Sequence, residues 1–363
     1  MGEYFRGISD PRQPWKIEHS LYEIIIMTIC AVISGFDHWE DIVDFCNVKE
    51  TWFRERLGLQ LSNGIASHDT FQRIFQLLDP KELENSFVSW VRSIAVCTNG
   101  EIVSIDGKTS RGSRDGENNP LHLVSAWAHA NQMVLGQVKT DVKSNEITAI
   151  PTLLDLLELR GCIVTIDAMG CQKDIAEKII EQGADYVFSL KGNQSSLNED
   201  VRLYFETEDV TNRTVTLDNG HGRIERRVYA LETNVDWLSQ KPDWHGLAAI
   251  GKVQSFVEEK GQKTEETRYF ITSLTDIETF ANAVRSHWGI ENSLHYCLDV
   301  TFNEDANRTR KDNSAENFAV IRHIVLNVLK AFPTPKPMSL ARKRRRCLYD
   351  ADFMAALLLS VAL

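Results

Sequence analysis

The sequence lacks any apolar run long enough to cross a membrane. Its longest apolar runs, residues 24–33 and 355–363, are too short for a hydrocarbon layer about 30 Å thick, so we expect both to pack in a core. The first residues also lack the basic-then-apolar pattern of a secretory signal. These absences predict a protein of the cytoplasm with no membrane partner.

Cysteine is sparse and shows no ligand spacing. The seven cysteines include no C-x-x-C pair, and their number is odd. Disulfide frameworks use even sets of cysteines and zinc knuckles use closely spaced pairs, so the sequence argues against both. A reducing cytoplasm is the compartment that this usage favours.

Net positive charge is missing as well, because the 363 residues carry a formal net charge of −11. The sequence therefore argues against a protein that coats DNA through its overall charge, although local basic patches can still supply phosphate contacts. The charge is uneven, and residues 305–346 hold 11 basic and 3 acidic residues. Charge alone favours the simpler interpretation of an acidic cytosolic enzyme with a basic tail.

Residues 1–99 have the pattern of a helical N-terminal domain. Apolar residues recur at helical spacing, and Gly35, Gly58 and the Asn63-Gly64 pair separate the segments. Short helices joined by a compact turn can read DNA as a helix-turn-helix, but a plain helical bundle has the same pattern. DNA binding by this domain is therefore a hypothesis.

From residue 100 to residue 331 the pattern changes to an α/β domain. Up to about residue 190 the predicted order is β-β-β-α-β-α-β, and residues 207–274 look like two long antiparallel strand pairs, a β insertion. Helix is predicted again at residues 276–298 and at Ser314–Ala331. Residues 332–363 are predicted to be a basic tail behind a proline-rich linker.

Two apolar strands of this domain each end in a single aspartate, Asp106 and Asp167. Each aspartate taken alone more often starts a turn or caps a helix. Parallel neighbours would present both acids at one sheet edge, where α/β sites form. Two carboxylates held close repel each other, and a divalent cation such as Mg²⁺ removes that penalty. The pair therefore predicts a metal site.

A third acid is predicted in the helix at residues 276–298. Steps of three and four place Glu291 on a stripe with Val284, Trp288 and Leu298, and a carboxylate that faces a core is costly unless it is paired or bound to metal. His287 and His295 lie one turn before and after Glu291. Each can orient it, contact phosphate, or be an ordinary core histidine. Three rival acids follow the helix, namely Asp299, Glu304 and Asp305.

Three motifs stand out in the chain, namely Ser104-Ile105-Asp106-Gly107-Lys108, Tyr269-Phe270-Ile271-Thr272-Ser273-Leu274, and His287-Trp288-Gly289-Ile290-Glu291-Asn292 with the residues up to Asp305. Together they resemble the H-repeat-associated (ISAs-type) branch of bacterial DDE insertion-sequence transposases. The resemblance covers nearly the whole chain. The run around Glu291 is specific, whereas a single aspartate is not.

The resemblance implies a ribonuclease-H-like catalytic domain with a β-rich insertion, preceded by the helical N-terminal domain. It implies that Asp106, Asp167 and Glu291 are the catalytic acids and hold two Mg²⁺ ions, with Mn²⁺ able to substitute. Its partners would be the DNA of the element ends and of the target, bound by a homo-oligomer that is at least a dimer, in association with the bacterial nucleoid. The chain departs from the wider group where His287 replaces an expected Arg and Leu298 an expected Lys.

Basic residues near the acids and in the tail are candidates for DNA contact. A single basic cluster is by default a solvated surface. Because the chain has several such clusters, we expect some of them to contact phosphate. The candidates are Lys108, Arg111, Arg114, Lys191, Arg223, Arg226, Arg227, His287, His295, Arg344 and Arg345.

Three other functions remain open on the sequence. The first is a metal-dependent DNA nuclease that cuts without strand transfer, and the second is a non-catalytic DNA-binding remnant of a transposase. The third is a phosphohydrolase for small molecules. All three acids are intact, which weighs against a remnant, and the N-terminal helices and the basic tail disfavour a small-molecule enzyme.

Overall fold

One mixed β-sheet carries the fold. The structure is a computed structural model that describes residues 2–114, 116, 119–140, 146–220 and 222–361. Within these residues nine strands form a single sheet in the order β3-β2-β1-β4-β5-β9-β8-β7-β6. The strands are β1 Ile102–Ser110, β2 Leu121–Ala128, β3 Met133–Lys139, β4 Ile163–Ile166, β5 Asp185–Leu190, β6 Arg213–Gly220, β7 Arg223–Glu232, β8 Ala249–Glu259 and β9 Gln262–Thr272.

The predicted order β-β-β-α-β-α-β is confirmed. Strands β1, β4 and β5 are parallel neighbours, and β2 and β3 extend the sheet in antiparallel fashion. Helix α6 (Glu146–Leu156) connects β3 to β4, and α7 (Lys173–Glu181) connects β4 to β5. All four residues of β4 are buried, as a continuous apolar run predicts for a strand that is covered on both faces.

The strand-rich region is also antiparallel, as predicted. After α8 (Ser195–Thr207), strands β6 to β9 form two hairpins, β6–β7 and β8–β9. Strand β9 pairs with β5 through Val187 and Thr272, so the region continues the central sheet and does not form a separate one. The far ends of these hairpins are exposed, since apolar residues cluster only where β7, β8 and β9 meet the helix that follows.

The remaining helices lie at both ends of the sequence. They are α1 Gly2–Arg6, α2 Leu21–Ser34, α3 Trp39–Leu57, α4 His68–Leu77, α5 Pro80–Ile94, α9 Ile277–Ile290, α10 Ser314–Ala331, α11 Leu340–Tyr349 and α12 Ala351–Leu359. Helix α3 runs without a break through residues 46–50. No glycine or proline interrupts residues 46–50, so nothing there ends the helix.

Helix α10 connects the N-terminal helices to the sheet. Every residue from 318 to 329 is buried, because α10 packs between α2, α4 and α5 on one side and β3 on the other. The Asn327 side chain pairs with both backbone groups of Val134, and Asn317 donates to the carbonyls of Phe75 and Leu78. Residues 1–99 therefore share one hydrophobic core with the sheet.

The segment predicted as a basic tail folds into the body of the protein. Helices α11 and α12 pack against α2 and α10, and Cys347, Met354 and Leu357 are buried there. The apolar residues 353–358 explain this placement, because they need a core more than the neighbouring arginines need solvent. All seven cysteines are free.

In the part of the chain that the structure describes, no single helix is long and apolar enough to cross a membrane. Helices α2 and α3 taken together have the length and apolar composition of a membrane span, but they are bent by 100° at their junction. Residues 24–33 of α2 are all buried inside the protein, as expected for a core run.

Candidate active site

Asp106 and Asp167 lie side by side, but only Asp167 follows the end of its strand, because β1 continues past Asp106 to Ser110. Strands β1 and β4 pair in parallel with Ile105 opposite Ile166, so the next residues, Asp106 and Asp167, come out at the same sheet edge. Both isoleucines are buried in the core, and the aspartates lie on the opposite face and line one pocket. One oxygen of Asp167 accepts the backbone N–H of Met169 at 2.9 Å, which fixes the carboxylate at the start of a turn. The predicted neighbourhood of the two acids is confirmed.

Below the acids, four side chains form a chain of hydrogen bonds across the sheet. Oγ of Ser104 and Oγ1 of Thr165 lie 2.8 Å apart, Nε2 of His129 lies 2.9 Å from Ser104, and Nδ1 of His287 lies 3.0 Å from Thr165. Loss of hydration lowers the pKa of His129 and that of His287 to about 4. Both rings are therefore neutral at pH 7. Of the two nitrogens of His287, Nδ1 is occupied by Thr165.

Glu291 completes the group from a break in helix α9. The α-helix ends at Ile290, and residues 291–295 form a π-helical turn in which the Tyr296 N–H donates to the Glu291 carbonyl. The Glu291 side chain is 55% exposed at the rim of the pocket. The prediction that it faces the core is wrong, because Trp288 on the same stripe is also exposed, whereas Leu294 and Leu298 are buried. The third acid thus reaches the site from the solvent side.

His295 lies beneath the acids. Its Nδ1 lies 3.3 Å from Oε2 of Glu291 and 3.7 Å from Oδ2 of Asp106. These three residues each offer a ligand atom within 4.8 Å of the others. The residue is 5% exposed, so the structure corrects its prediction as a DNA contact. Oxygen and imidazole donors that converge in this way fit a divalent cation.

Asp106 is strongly perturbed by its surroundings. Burial, together with the charges of Glu146, Glu291 and Asp167, raises its pKa to about 7, against the opposing effect of the hydrogen bond from the Gly107 N–H. A carboxylate in this position is ionised at neutral pH only with difficulty. A bound cation would remove that cost, which supports the site's suitability for metal.

Glu146 is a fourth carboxylate that the sequence analysis missed. Its Oε1 lies 2.8 Å from Nε2 of His122, whose Nδ1 is 2.7 Å from Oγ1 of Thr109. The carboxylate lies over Gly107, where any Cβ would overlap Glu146 and His122. An acid in the first turn of a helix is common, so Glu146 did not stand out in the sequence. The one signal was Gly107, because a glycine next to Asp106 can leave room for another side chain.

Lys108 is not free to hold DNA. Its Nζ lies 2.7 Å from Asp299 and 2.9 Å from Glu304, and only 11% of its side chain is exposed. Asp305 is 3.9 Å away. The structure therefore corrects the prediction for Lys108. It also places the three rival acids around this lysine, and none of them lines the pocket of Asp106 and Asp167.

The other basic candidates differ in their surroundings. Arg344 is 9% exposed, donates to the carbonyls of Thr301 and Val32 and stacks on Phe302, so it is a structural residue and its prediction as a DNA contact is corrected. Lys191 and the partly buried His287 line the pocket of the acids. The remaining candidates are exposed or line a groove between strands β6–β9 and helix α9. They are Arg111, Arg114, Arg223, Arg226, Arg227 and Arg345.

Arg268 and Trp288 also belong to the pocket, although the sequence analysis did not predict either as a site residue. The guanidinium of Arg268, on β9, lies 4.5 Å over the ring of Trp288, and both residues line the pocket of the acids and the adjoining groove. Arg268 directly precedes the motif that begins at Tyr269, and Trp288 lies within the motif around Glu291, but nothing in the sequence showed that β9 lies beside β5. The pair bridges the acids and the groove.

The chain matches two protein families. Residues 98–328 match the family described as Transposase DDE domain, and residues 2–91 match the family described as DDE_Tnp_1-associated. The chain is 40% identical over 368 residues to the H repeat-associated putative transposase YhhI of Escherichia coli (strain K12), covering 98% of this chain and 97% of the relative. It is also 40% identical to the putative transposase YncI of Escherichia coli O157:H7, covering 99% and 94%.

A solved structure is similar at a greater distance. It is the piggyBac transposase synaptic complex with hairpin DNA, at a TM-score of 0.44 and 10% identity, covering 100% of this chain and 81% of that one. This likeness is too distant to support a functional argument.

Proposed function

The chain belongs to the DDE transposase family, and from that premise we propose that it cuts and joins DNA at the ends of an insertion-sequence element. The DDE transposase domain implies a DNA-cleaving and DNA-transferring enzyme that uses divalent metal. The observation that carries the proposal is the convergence of Asp106, Asp167 and Glu291 on one pocket, from two parallel strands and a late helix.

We further propose a ribonuclease-H-like catalytic domain at residues 100–331, with its β insertion at about 207–274. In support, strands β3-β2-β1-β4-β5 form a mixed sheet in which β1, β4 and β5 are parallel. The first acid lies on β1, the second directly after β4, and the third after α9. Residues 1–99 would be the DNA-binding domain, which the match of residues 2–91 to a transposase-associated family supports.

Asp106, Asp167 and Glu291 would together hold two divalent cations, Mg²⁺ or, as a substitute, Mn²⁺. When bound, such cations activate the attacking oxygen and stabilise the leaving oxygen of an in-line phosphoryl transfer. The protein's part is to fix the carboxylates. The N–H groups of Gly107 and Met169 donate to Asp106 and Asp167 respectively, and the neutral chain of Ser104, Thr165 and two histidines makes a rigid floor beneath them.

The reaction needs no nucleophile from the protein. In the cutting step, a water oxygen forms a bond to phosphorus as the bond to the DNA 3′-oxygen breaks, and that oxygen leaves as a hydroxyl. In the joining step, this hydroxyl attacks a phosphodiester of the target, and one P–O bond is again exchanged for another. The exposed rim position of Glu291 marks the side from which a DNA strand would approach the acids.

DNA would reach the acids along the neighbouring groove. Lys191 and Arg268 line the pocket, and Arg223 and Arg227 line the groove that continues from it past Trp288. Four exposed arginines remain proposed phosphate contacts, namely Arg111, Arg114, Arg226 and Arg345. His287, which lines the pocket, also remains a proposed contact. We expect at least a dimer on paired element ends, in the bacterial cytoplasm.

The test uses the full chain with labelled duplexes taken from the DNA that flanks its gene. Products are followed with Mg²⁺, with Mn²⁺ and with EDTA. Metal-dependent cutting at the element ends together with joined products would support the proposal. Scrambled duplexes of equal length and composition are the control for specific ends.

The outcomes separate the other functions that the sequence left open. Cutting without any joined product would identify a metal-dependent nuclease. Tight binding without cutting would identify a DNA-binding remnant. Failure to bind DNA, with metal-dependent hydrolysis of small phosphate esters, would identify a phosphohydrolase and overturn the proposal.

A further inference from the structure

The surroundings of His295 are unusual for a histidine that serves only packing. Its Nδ1 faces two carboxylates, Glu291 at 3.3 Å and Asp106 at 3.7 Å, while the rest of the ring is buried. Its Nε2 is also buried, and in the described part of the chain it has no hydrogen-bond partner. Buried polar atoms are usually paired, so an unpaired ring nitrogen beside carboxylates needs an explanation.

Neither neutral form of the ring satisfies both nitrogens. If Nδ1 carries the proton, it donates to Glu291 over a long 3.3 Å, and Nε2 is left as a buried acceptor without a donor. If Nε2 carries the proton, the lone pair of Nδ1 faces the negative oxygens of Glu291 and Asp106. A cation between the three ligand atoms would remove this second conflict.

The spacing also fits a shared cation. Adjacent ligands in an octahedral site of Mg²⁺ or Mn²⁺ lie about 3 Å apart, since each is about 2.1 Å from the ion. The distances of 3.3 Å and 3.7 Å come close to this arrangement, and the three ligand atoms all lie within 4.8 Å of one another. Glu291 and His295 stand four residues apart in the π-helical turn, and both approach Asp106 on β1.

We propose that His295 binds one of the two metal ions through Nδ1, together with Asp106 and Glu291, so that this site prefers Mn²⁺ to Mg²⁺. This inference rests on the proposed function. An imidazole nitrogen binds transition metals better than it binds Mg²⁺, for which carboxylate and water oxygens are the preferred ligands. The remaining acid, Asp167, would then serve the second ion with Asp106.

Pulsed electron paramagnetic resonance on the full-length wild-type chain with Mn²⁺ tests the ligand directly. A nitrogen bound to Mn²⁺ gives a characteristic ¹⁴N modulation, and protein labelled with ¹⁵N-histidine would replace it with the ¹⁵N pattern. This comparison needs no substitution, so it does not depend on the folding of a variant. A spectrum with no histidine-dependent modulation would overturn the proposal.

Calorimetric titration with Mn²⁺ and Mg²⁺ tests the preference. In His295→Gln we expect the ratio of Mn²⁺ affinity to Mg²⁺ affinity to fall at least about tenfold, since even outer-shell changes cost that much. His68→Asn is the matched control, because His68 also contacts a carboxylate, Asp69 at 3.4 Å, but on an exposed surface. An unchanged ratio in His295→Gln, with its fold intact by thermal denaturation, would contradict the inference.

The two proposals fail in different ways. If the histidine signal is absent while the wild type still cuts and joins DNA, the assignment of His295 is wrong and the transposase function stands. If the signal is present but the chain does not cut DNA, the metal site stands and the function is wrong.

Discussion

The hydroxyl groups of Ser104 and Thr165 share a hydrogen bond of 2.8 Å across the parallel pair β1 and β4. Two residues further on, the same strands deliver Asp106 and Asp167 on the same face. The bond therefore fixes the relative position of the strands immediately below the acids. With His129 and His287 at its ends, it makes a neutral polar floor beneath a charged site.

Thr165→Val tests this floor. Valine keeps the shape of threonine but removes the hydroxyl, so Ser104 and His287 each lose a partner in a buried place. We expect a loss of about 1–3 kcal/mol in the free energy of unfolding, measured by chemical denaturation. Thr267→Val, at an exposed position of β9, should change it by less than about 0.5 kcal/mol. Equal effects of both variants would show that the hydroxyl chain has no structural weight.

Gly107→Ala tests the packing of Glu146 against the site. A Cβ at this position would overlap both the Glu146 carboxylate and the His122 ring, and that ion pair must move. We expect the variant to lose about 1–3 kcal/mol of stability in denaturant titrations, as overpacked positions do. Gly7→Ala, where a Cβ meets nothing within 4 Å, is the control. No difference between the two would mean that Glu146 does not lie over Gly107.

The raised pKa of Asp106 predicts how metal-free stability depends on pH. The folded-state pKa is about 7 against 3.8 for the ordinary group. Between these values the folded state binds more protons than the unfolded state, so stability falls as pH rises. Relative to Asp106→Asn, the wild type should lose on the order of 2–4 kcal/mol between pH 4 and pH 8, measured by denaturation in EDTA. Mn²⁺ should reduce this loss, and a difference that does not vary with pH would contradict the account.

Much of this site followed from local sequence signals. An apolar run followed by one aspartate, repeated at Asp106 and Asp167, was enough to predict their neighbourhood, although β1 continues past Asp106 to Ser110. The order of strands and helices up to β5 followed from the alternation of apolar runs and amphipathic segments.

Other features depend on contacts between distant parts of the chain. Helical spacing wrongly placed Glu291 in the core, because this part of the stripe, including Trp288, lines the pocket of the acids and not the packed interior. Lys108 has the sequence context of a phosphate contact, but it pairs with Asp299 and Glu304, which come almost 200 residues later in the sequence. Five adjacent basic residues resembled a tail, although two of them are buried.

Arg344 and Arg345 form a natural pair for testing that last correction. Arg344 donates to the Thr301 and Val32 carbonyls in the interior, whereas Arg345 is exposed on the same helix. Arg344→Met should lower the free energy of unfolding by about 1–3 kcal/mol, because two buried carbonyls lose their donor. Arg345→Met should leave stability within about 0.5 kcal/mol. Thermal or chemical denaturation would reveal the difference, and the reverse order would contradict the assignment.

The most direct test of the central claim is the yield of cut and joined DNA from the wild type and from Asp106→Asn, Asp167→Asn and Glu291→Gln, in Mg²⁺ or Mn²⁺. The control is Glu278→Gln, which changes an exposed acid on α9, the helix that directly precedes Glu291. The account predicts activity in the wild type and in the control, and a loss of at least about a thousandfold in each of the three variants. Undiminished cutting and joining by any of the three would contradict it. If Glu291→Gln alone stayed active, the third acid would have to be sought among Asp299, Glu304 and Asp305.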